Sequence, residues 1–220
     1  MSTAVILVSG GLDSCVTAAI AARTHELAFL HLNYQQRTQE RELRAFNALA
    51  DHFDVSKRLV VDVGFMQQIG GSSLVDSALP IPTIEESGVP STYVPFRNAN
   101  LLGIGVAWAE VLNADAVFIG AHQEESAYPD CRREFIEAYN QMVDTGTRPE
   151  THLRISAPLI ALDKAGIIKE GLQLQAPFHL TWSCYKSEDM ACGRCASCRM
   201  RLGGFAAHHI QDPIPYQREA

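Results

Sequence analysis

The amino-acid sequence predicts an α/β fold, a doubly wound parallel sheet with a cysteine-rich module at its C-terminal end. Three observations carry the prediction. Short apolar runs alternate with helix-competent segments along most of the chain, those runs are apolar throughout rather than at every second residue, and four of the six cysteines crowd together near the C-terminus. Strands that are apolar throughout are buried on both faces, as in a parallel sheet covered by helices. With 220 residues, 47% hydrophobic and 20% charged, the chain has material for a substantial core, which excludes disordered, collagenous and low-complexity classes.

Ala4–Val8 is a continuous apolar run that ends in Ser-Gly-Gly, so it reads as a first strand, and the Ala-rich Ser14–Arg23 reads as the helix after it. Leu27–Leu32 is a second strand. Gln39–Phe53 is a helix with Leu43, Phe46, Leu49, Ala50 and Phe53 on one face. Leu59–Val63 is a third strand. From Gly64 to Pro95 the periodicity fades while Gly, Ser and Pro accumulate, which is long for an inert connection and marks either a functional loop or a mobile surface insertion. Asn98–Asn113 is a helix with Leu101, Ile104, Trp108 and Val111 in register, followed by a strand at Ala116–Ile119. Arg133–Asp144 is a helix, Leu153–Ser156 a short strand, and Asp163–Leu174 a helix with Asp163 at its N-cap. The order is a Rossmann-like alternation, with residues 1–180 as the α/β domain and 181–220 as a cysteine-bearing segment packed on it. Ligands of such sheets bind beyond the carboxyl ends of the strands. Those ends are Ser9, the segment after Leu32, and Gly120-Ala121-His122.

Eighteen basic against twenty-five acidic residues give a net charge of −7, which offers no general attraction to nucleic acid or an anionic membrane. The first apolar run has no preceding Lys or Arg and is broken by Ser9, Gly10, Gly11 and Asp13, so neither a signal peptide nor a membrane span is expected. A cytoplasmic protein is the expectation. In a reducing compartment, clustered cysteines are more often metal ligands or redox catalysts than disulfides.

Val8-Ser9-Gly10-Gly11-Leu12-Asp13-Ser14 lies where the first strand hands over to the first helix. Two glycines let the backbone turn sharply and approach a ligand, while helix N-terminal N–H groups and the Ser9 and Ser14 hydroxyls can donate to phosphate oxygens. It is neither a Walker loop nor a dinucleotide fingerprint. The plainer alternative is a tight turn with Asp13 or Ser14 capping the helix. Cys184, Cys192, Cys195 and Cys198 are spaced C-x7-C-x2-C-x2-C, a four-thiolate set that suits one closed tetrahedral Zn²⁺, with an iron–sulfur cluster as the rival. Cys15 and Cys131 stand outside it as ordinary buried thiols.

The Ser-Gly-Gly-x-Asp-Ser string resembles the pyrophosphate loop of the ATP-pyrophosphatase (PP-loop) families. Together with Thr92-Tyr93-Val94-Pro95-Phe96-Arg97-Asn98, Gly120-Ala121-His122, Tyr128-Pro129-Asp130-Cys131-Arg132 and Thr181-Trp182-Ser183-Cys184-Tyr185, it makes the chain resemble the 7-cyano-7-deazaguanine synthases (QueC) of queuosine biosynthesis over nearly its whole length. The resemblance implies ATP-dependent conversion of 7-carboxy-7-deazaguanine and ammonia to the nitrile, with Mg-ATP as substrate, one structural zinc per chain, no nucleic-acid or membrane partner, and a homodimer. It implies that Val8, Ser9, Gly10, Gly11, Leu12, Asp13 and Ser14 hold the phosphates, with Asp13 near Mg²⁺. Asp13, Ser14, Arg97, Asp130 and Lys164 become the catalytic candidates, and Arg97, Asn98, His122, Tyr128, Asp130 and Arg132 the substrate-binding ones. Bland alternatives are a surface ion pair for Arg97, a structural turn at Tyr128, a solvated Lys164 and a structural hydrogen bond at His122. After His122 the chain reads Gln-Glu-Glu-Ser where relatives carry an aspartate, so an acidic role there passes to Glu124 or Glu125 or is absent. Competing readings are another PP-loop ligase, a tRNA-thiolating relative, and a nucleic-acid-binding zinc module around Arg194, Arg199 and Arg201.

Overall fold

The computed structural model describes residues 1–83, 87–122 and 127–217. Strands β1 (Ser2–Leu7), β2 (His25–Asn33), β3 (Lys57–Asp62), β4 (Ala116–Phe118) and β5 (Arg154–Ser156) form one parallel sheet in the order β3-β2-β1-β4-β5. Helices α1 (Leu12–Ala21), α2 (Gln39–His52), α3 (Phe65–Ile69), α4 (Arg97–Leu112), α5 (Arg133–Gly146), α6 (Lys164–Gln173) and α7 (Ala196–Ala206) surround it.

Alternate residues of each central strand feed two cores, because side chains along a strand point to opposite faces. Val5, Leu7, Leu30 and Val117 pack with Leu102 of α4 and Ile136 of α5, while Ala4, Ile6, Phe29 and Phe118 pack with Cys15 of α1 and Phe46 of α2. The sheet is therefore doubly wound. A third cluster joins Leu12 and Val16 of α1 to Ile167 and Ile168 of α6 and Phe205 of α7, so α1 is covered on its outer side as well. The chain winds from β1 toward β3 on one side and then from β4 to β5 on the other, which puts the change of direction between the carboxyl ends of β1 and β4.

Three expectations are corrected. β3 is an edge strand whose residues alternate in burial, and its continuous apolar stretch leaves Val60 exposed because no strand lies beyond it. The buried side of α4 runs through Asn98, Ala99, Leu102, Gly105 and Ala109, leaving Val111 exposed; the smallest residues face the sheet, and a Cβ on Gly105 would stand 3.1 Å from Val117 Cγ1. Segment 64–95 is not irregular throughout: it contains α3, and Ser72, Ser73, Leu74 and Val75 are buried, with Ser73 N–H donating to Ser91 O at 2.8 Å, while Ile69, Leu79 and Val89 are exposed. Asp163 caps α6 as expected, accepting from Gly166 N–H at 2.7 Å. No helix among the described residues is long and apolar enough to cross a membrane.

Candidate active site

The turn after β1 is shaped by its glycines. Gly10 adopts φ +85°, and a Cβ there would lie 2.6 Å from Glu42 O, so the position needs glycine for both its conformation and the close approach of α2. Gly11 is the N-cap of α1 and no side chain caps that helix, which leaves first-turn N–H groups for an anion. α1 begins at Leu12, two residues earlier than the sequence suggests, so Asp13 and Ser14 lie in that first turn. The Ser14 hydroxyl donates to Gly11 O at 3.0 Å and sits 3.3 Å from Ser9 Oγ, which itself accepts from Gly11 N–H at 3.2 Å. The loop after β4 presses on the same turn, since a Cβ on Gly120 would be 3.2 Å from Asp13 C and from Ser14 N.

Asp13, His122 and Lys164 come together from α1, the end of β4 and α6. Lys164 Nζ donates to Asp13 Oδ1 at 2.6 Å and stands 3.2 Å from His122 Nε2, which is 3.7 Å from Asp13 Oδ2. His122 is fully buried and Lys164 nearly so. Lys164 is thus not a solvated lysine. It supplies the positive charge beside the helix start, where a carboxylate and an anion would otherwise repel each other.

Asp13 and Lys164 open onto a cavity of about 200 Å³ at the switch point of the sheet, which the fully buried His122 does not line. Its apolar side is Leu7, Leu30, Leu32, Leu101 and Ile119, and its polar lining includes the Val8–Ser14 turn except Gly10, together with Gln36, Thr38, Glu42, Arg97 and Asn98. Trp182, Ser183, Tyr185, Ser197 and Met200 line it from the C-terminal segment. Arg97 Nη1 donates to Tyr34 OH at 3.3 Å and its guanidinium lies 5.5 Å from the Tyr34 ring centre, so it is held inside the site. Burial pushes the Tyr34 hydroxyl up to about 12, against the pull of Arg97. Burial also raises the Glu42 carboxyl, while Gln36, Thr38 and Arg97 draw it down.

A smaller cavity of about 30 Å³ adjoins, sharing Leu74, Arg97 and Tyr185 with the large one and lined also by Thr92, Tyr93, Tyr128 and Asp130. Tyr128 stacks on Tyr93 and meets the Thr92 hydroxyl at 2.6 Å. Asp130 is buried and its Oδ2 accepts Asn98 N–H at 2.7 Å, while Asn98 Nδ2 donates to Asp130 O and Cys131 Sγ, each at 3.1 Å. That pair, 32 positions apart in sequence, anchors the start of α4. Arg132 is exposed at the N-cap of α5 and lines neither cavity. Glu124 and Glu125 lie outside the described residues.

The four clustered cysteines present Sγ atoms all within 4.8 Å of one another. Cys184, Cys195 and Cys198 are buried and Cys192 partly so. Cys184 Sγ accepts from the N–H groups of Lys186 and Cys192, and Cys192 Sγ from those of Arg194 and Cys195, at 3.3–3.4 Å. Hydrogen bonds from Cys195 and Cys198 pull the Cys184 thiol far down, and their counterparts push Cys195 up to about 11 and Cys198 higher still. Charge on one of these crowded thiols opposes charge on its neighbours, and a bound cation would relieve that opposition. The set can hold a metal ion. Cys15 stands apart, fully buried, its thiol pushed up to about 12 by desolvation.

The module is joined to the phosphate turn by backbone, because Trp182 N–H donates to Gly10 O at 2.8 Å. Its Ser183, Tyr185, Ser197 and Met200 were not singled out from the sequence, nor were Tyr34, Gln36 and Glu42 after β2. The signal was present in the Thr181–Tyr185 string and in the rule that strand ends carry ligands.

The family model for queuosine biosynthesis protein QueC matches residues 3–209. The chain belongs to that family. The curated 7-cyano-7-deazaguanine synthase of Chlorobaculum parvum is 51% identical over 218 residues, 97% of this chain and 96% of the relative, and that of Chlorobaculum tepidum is 50% identical over 218 residues with the same coverage. Among solved structures, NMN synthetase from Francisella tularensis superposes with a TM-score of 0.51 at 16% identity, covering 96% of this chain and 78% of that one, a likeness of fold. In this QueC family member the phosphate turn, the Asp13–His122–Lys164 group, Arg97 and the cysteine module all fall within the matched span.

Proposed function

We propose that this chain is an ATP-dependent ligase that converts 7-carboxy-7-deazaguanine and ammonia to 7-cyano-7-deazaguanine. The observation that carries the reading is the uncapped start of α1, flanked by Asp13 and Lys164 and opening on the cavity at the switch point. Family membership makes the tRNA-thiolating alternative unfavoured.

A carboxylate resists ammonia because its leaving group would be an oxide. In the proposed sequence the substrate carboxylate attacks the α-phosphorus of ATP, the β and γ phosphates leave in the Ser9–Ser14 cradle, and ammonia displaces AMP to give the amide. The amide oxygen then attacks the α-phosphorus of a second ATP, releasing pyrophosphate, and departs with AMP as the nitrogen loses its two protons, leaving the nitrile. The α1 N–H groups, the serine hydroxyls and Lys164 stabilise charge on the departing pyrophosphate. Arg97 is suited to meet the substrate carboxylate or the α-phosphate, and His122 holds Lys164 and Asp13 in register. The apolar side at Leu7, Leu30, Leu32 and Leu101 suits adenine. The Asp13 carboxylate offers an oxygen ligand for Mg²⁺, which neutralises tripolyphosphate charge when bound.

For the cysteines we propose one structural zinc. Tetrahedral ligation at about 2.3 Å sets sulfurs about 3.8 Å apart. Cys192 and Cys198 Sγ stand at 4.0 Å and all four within 4.8 Å, a spacing for one ion rather than a multi-iron cluster. The proposal also makes the protein a cytoplasmic homodimer acting on small molecules; six unbridged thiols agree with a reducing compartment, and the dimer rests on the family resemblance.

The test is mass spectrometry of the purified protein incubated with 7-carboxy-7-deazaguanine, ammonium and Mg-ATP. Nitrile, AMP and pyrophosphate are the expected products. ATP cleavage with no nitrile would reject the reaction.

A further inference from the structure

Glu42 is an acidic side chain of the large cavity to which the proposed reaction gives no task. It sits in the first turn of α2, and its position is fixed by neutral donors: Gln36 Nε2 reaches Oε2 and the Thr38 hydroxyl reaches Oε1, each at 2.9 Å. Gln36 is itself oriented, because its Oε1 accepts Tyr34 N–H at 3.0 Å, and both Gln36 and Thr38 are buried. Each carboxylate oxygen has a lone pair to spare. Asp13, the other acidic residue lining the cavity among the described residues, is ion-paired with Lys164. Glu42 is thus a preset acceptor whose hydrogen bonds come from an amide and a hydroxyl, with the Arg97 guanidinium acting on it through space, so N–H donors brought by a ligand gain a charge-assisted bond there.

The chemistry of the proposed reactants selects among them. Phosphates are repelled by a carboxylate. The adenine edge sets an acceptor nitrogen beside its amino group, which mismatches two acceptor oxygens. A guanine-type base sets N1–H beside a 2-amino N–H, two parallel donors matching two carboxylate oxygens. Asp130, the buried carboxylate beside the small cavity, gives an oxygen to Asn98 N–H and does not line the large one. We propose that Glu42 is the specificity-determining residue for the deazapurine base, its carboxylate accepting from N1–H and the 2-amino group.

This assignment rests on the proposed reaction and deepens it. The C7 carboxylate lies on the opposite edge of the base from the 2-amino group, so a base held at Glu42 turns its reacting end away from α2. The α2 backbone at Glu42 packs directly on Gly10, which keeps the base-reading group and the phosphate turn in fixed relation. A misplaced base would then carry its carboxylate out of line with the α-phosphorus, where a shift of about 1 Å costs on the order of 100-fold in rate.

The experiment compares 7-carboxy-7-deazaguanine with its analogue lacking the 2-amino group, by equilibrium binding and by kcat/KM, in the wild-type chain and in Glu42→Gln. A site built to bond a donor rejects a ligand lacking it strongly. The wild-type chain is expected to prefer the parent by about 100-fold or more, and Glu42→Gln to reduce that preference to within about 10-fold while Mg-ATP affinity changes less than about threefold. If Glu42 only anchors Gln36 and Thr38, both ligands weaken equally and the preference persists, which overturns the assignment. A wild-type preference below about 10-fold overturns it without any variant, so a poorly folding Glu42→Gln leaves the test intact. Parent that binds and turns over with no preference rejects this inference alone, whereas parent that neither binds nor yields nitrile rejects the reaction and the assignment together.

Discussion

Replacing Arg201 by Met tests how the C-terminal segment is held. Arg201 is 1% exposed and spends its whole guanidinium on the protein: Nε and Nη2 grip Asp212 at 2.7 and 2.9 Å, Nη1 reaches Thr181 Oγ1 at 2.7 Å and Ser183 Oγ at 3.2 Å, and Nη2 also reaches Phe178 O at 3.2 Å. Asp212 also takes the Tyr216 hydroxyl at 2.7 Å and the Ile214 N–H at 3.3 Å, so deleting the arginine strands a buried carboxylate that two neutral donors cannot compensate. Breaking a buried pair from one side costs about 3–5 kcal/mol. For a chain of this size each kcal/mol lowers Tm by about 2–4 °C, so Arg201→Met is expected to melt about 6–20 °C lower. Thermal and urea unfolding followed by circular dichroism would measure it. In the double variant Arg201→Met/Asp212→Asn the stranded charge is gone, and the summed single losses should exceed the double loss by at least about 1 kcal/mol. A loss under about 1 kcal/mol for Arg201→Met, or single losses that simply add, would refute the reasoning.

Gly10→Ala combines a left-handed backbone cost of about 1–2 kcal/mol with an overlap on α2 costing about 1–3 kcal/mol, so the urea midpoint and Mg-ATP affinity should both fall. Unchanged values would show that α2 yields at no cost. Cys195→Ser should lower bound zinc, measured by elemental analysis, and soluble yield together, with activity falling in proportion to folded protein, whereas a stable, metal-free, inactive variant would make these cysteines part of the chemistry. His31 is buried between Val8 O and Asn33 Oδ1, and burial lowers its basicity. The unfolded chain therefore takes up the proton first. Stability from this group is present above about pH 6.5 and lost as pH falls through the lower folded value, so Tm should drop on acidification more in the wild type than in His31→Gln, and parallel profiles would contradict it.

The sheet, the phosphate turn and the cysteine cluster were legible in the sequence because each depends on local pattern: apolar runs for β1 and β2, paired glycines before α1, and C-x2-C spacing at the C-terminus. The helical face of α4 was not, because close packing on the sheet favours Gly105 and Ala109 over Trp108 and Val111, and hydrophobic periodicity counts only size and polarity. Segment 64–95 reads as irregular because its described backbone is held by short turns, such as Asp76 N–H to Ser72 O at 3.0 Å, and by a few distant partners, such as Arg37 N–H to Leu74 O at 3.2 Å, neither of which leaves a periodic pattern. The role of Glu42 was hidden for a related reason. On a helical wheel it is an ordinary surface glutamate, and only the return of Gln36 and Thr38 against it makes a fixed acceptor. Asp130 was visible as part of a distinctive string, yet its partner Asn98 lies 32 positions earlier.

The bond from Trp182 N–H to Gly10 O has a consequence for the order of events during synthesis. The phosphate turn is synthesised well before the wall that closes its cavity, from Trp182 to Met200. A chain ending after α6 carries all five strands in its sequence, but it lacks the backbone bond to Gly10 and the cavity wall from Trp182 to Met200. Its affinity for Mg-ATP is expected to be lower than that of the full chain until the cysteine module is in place.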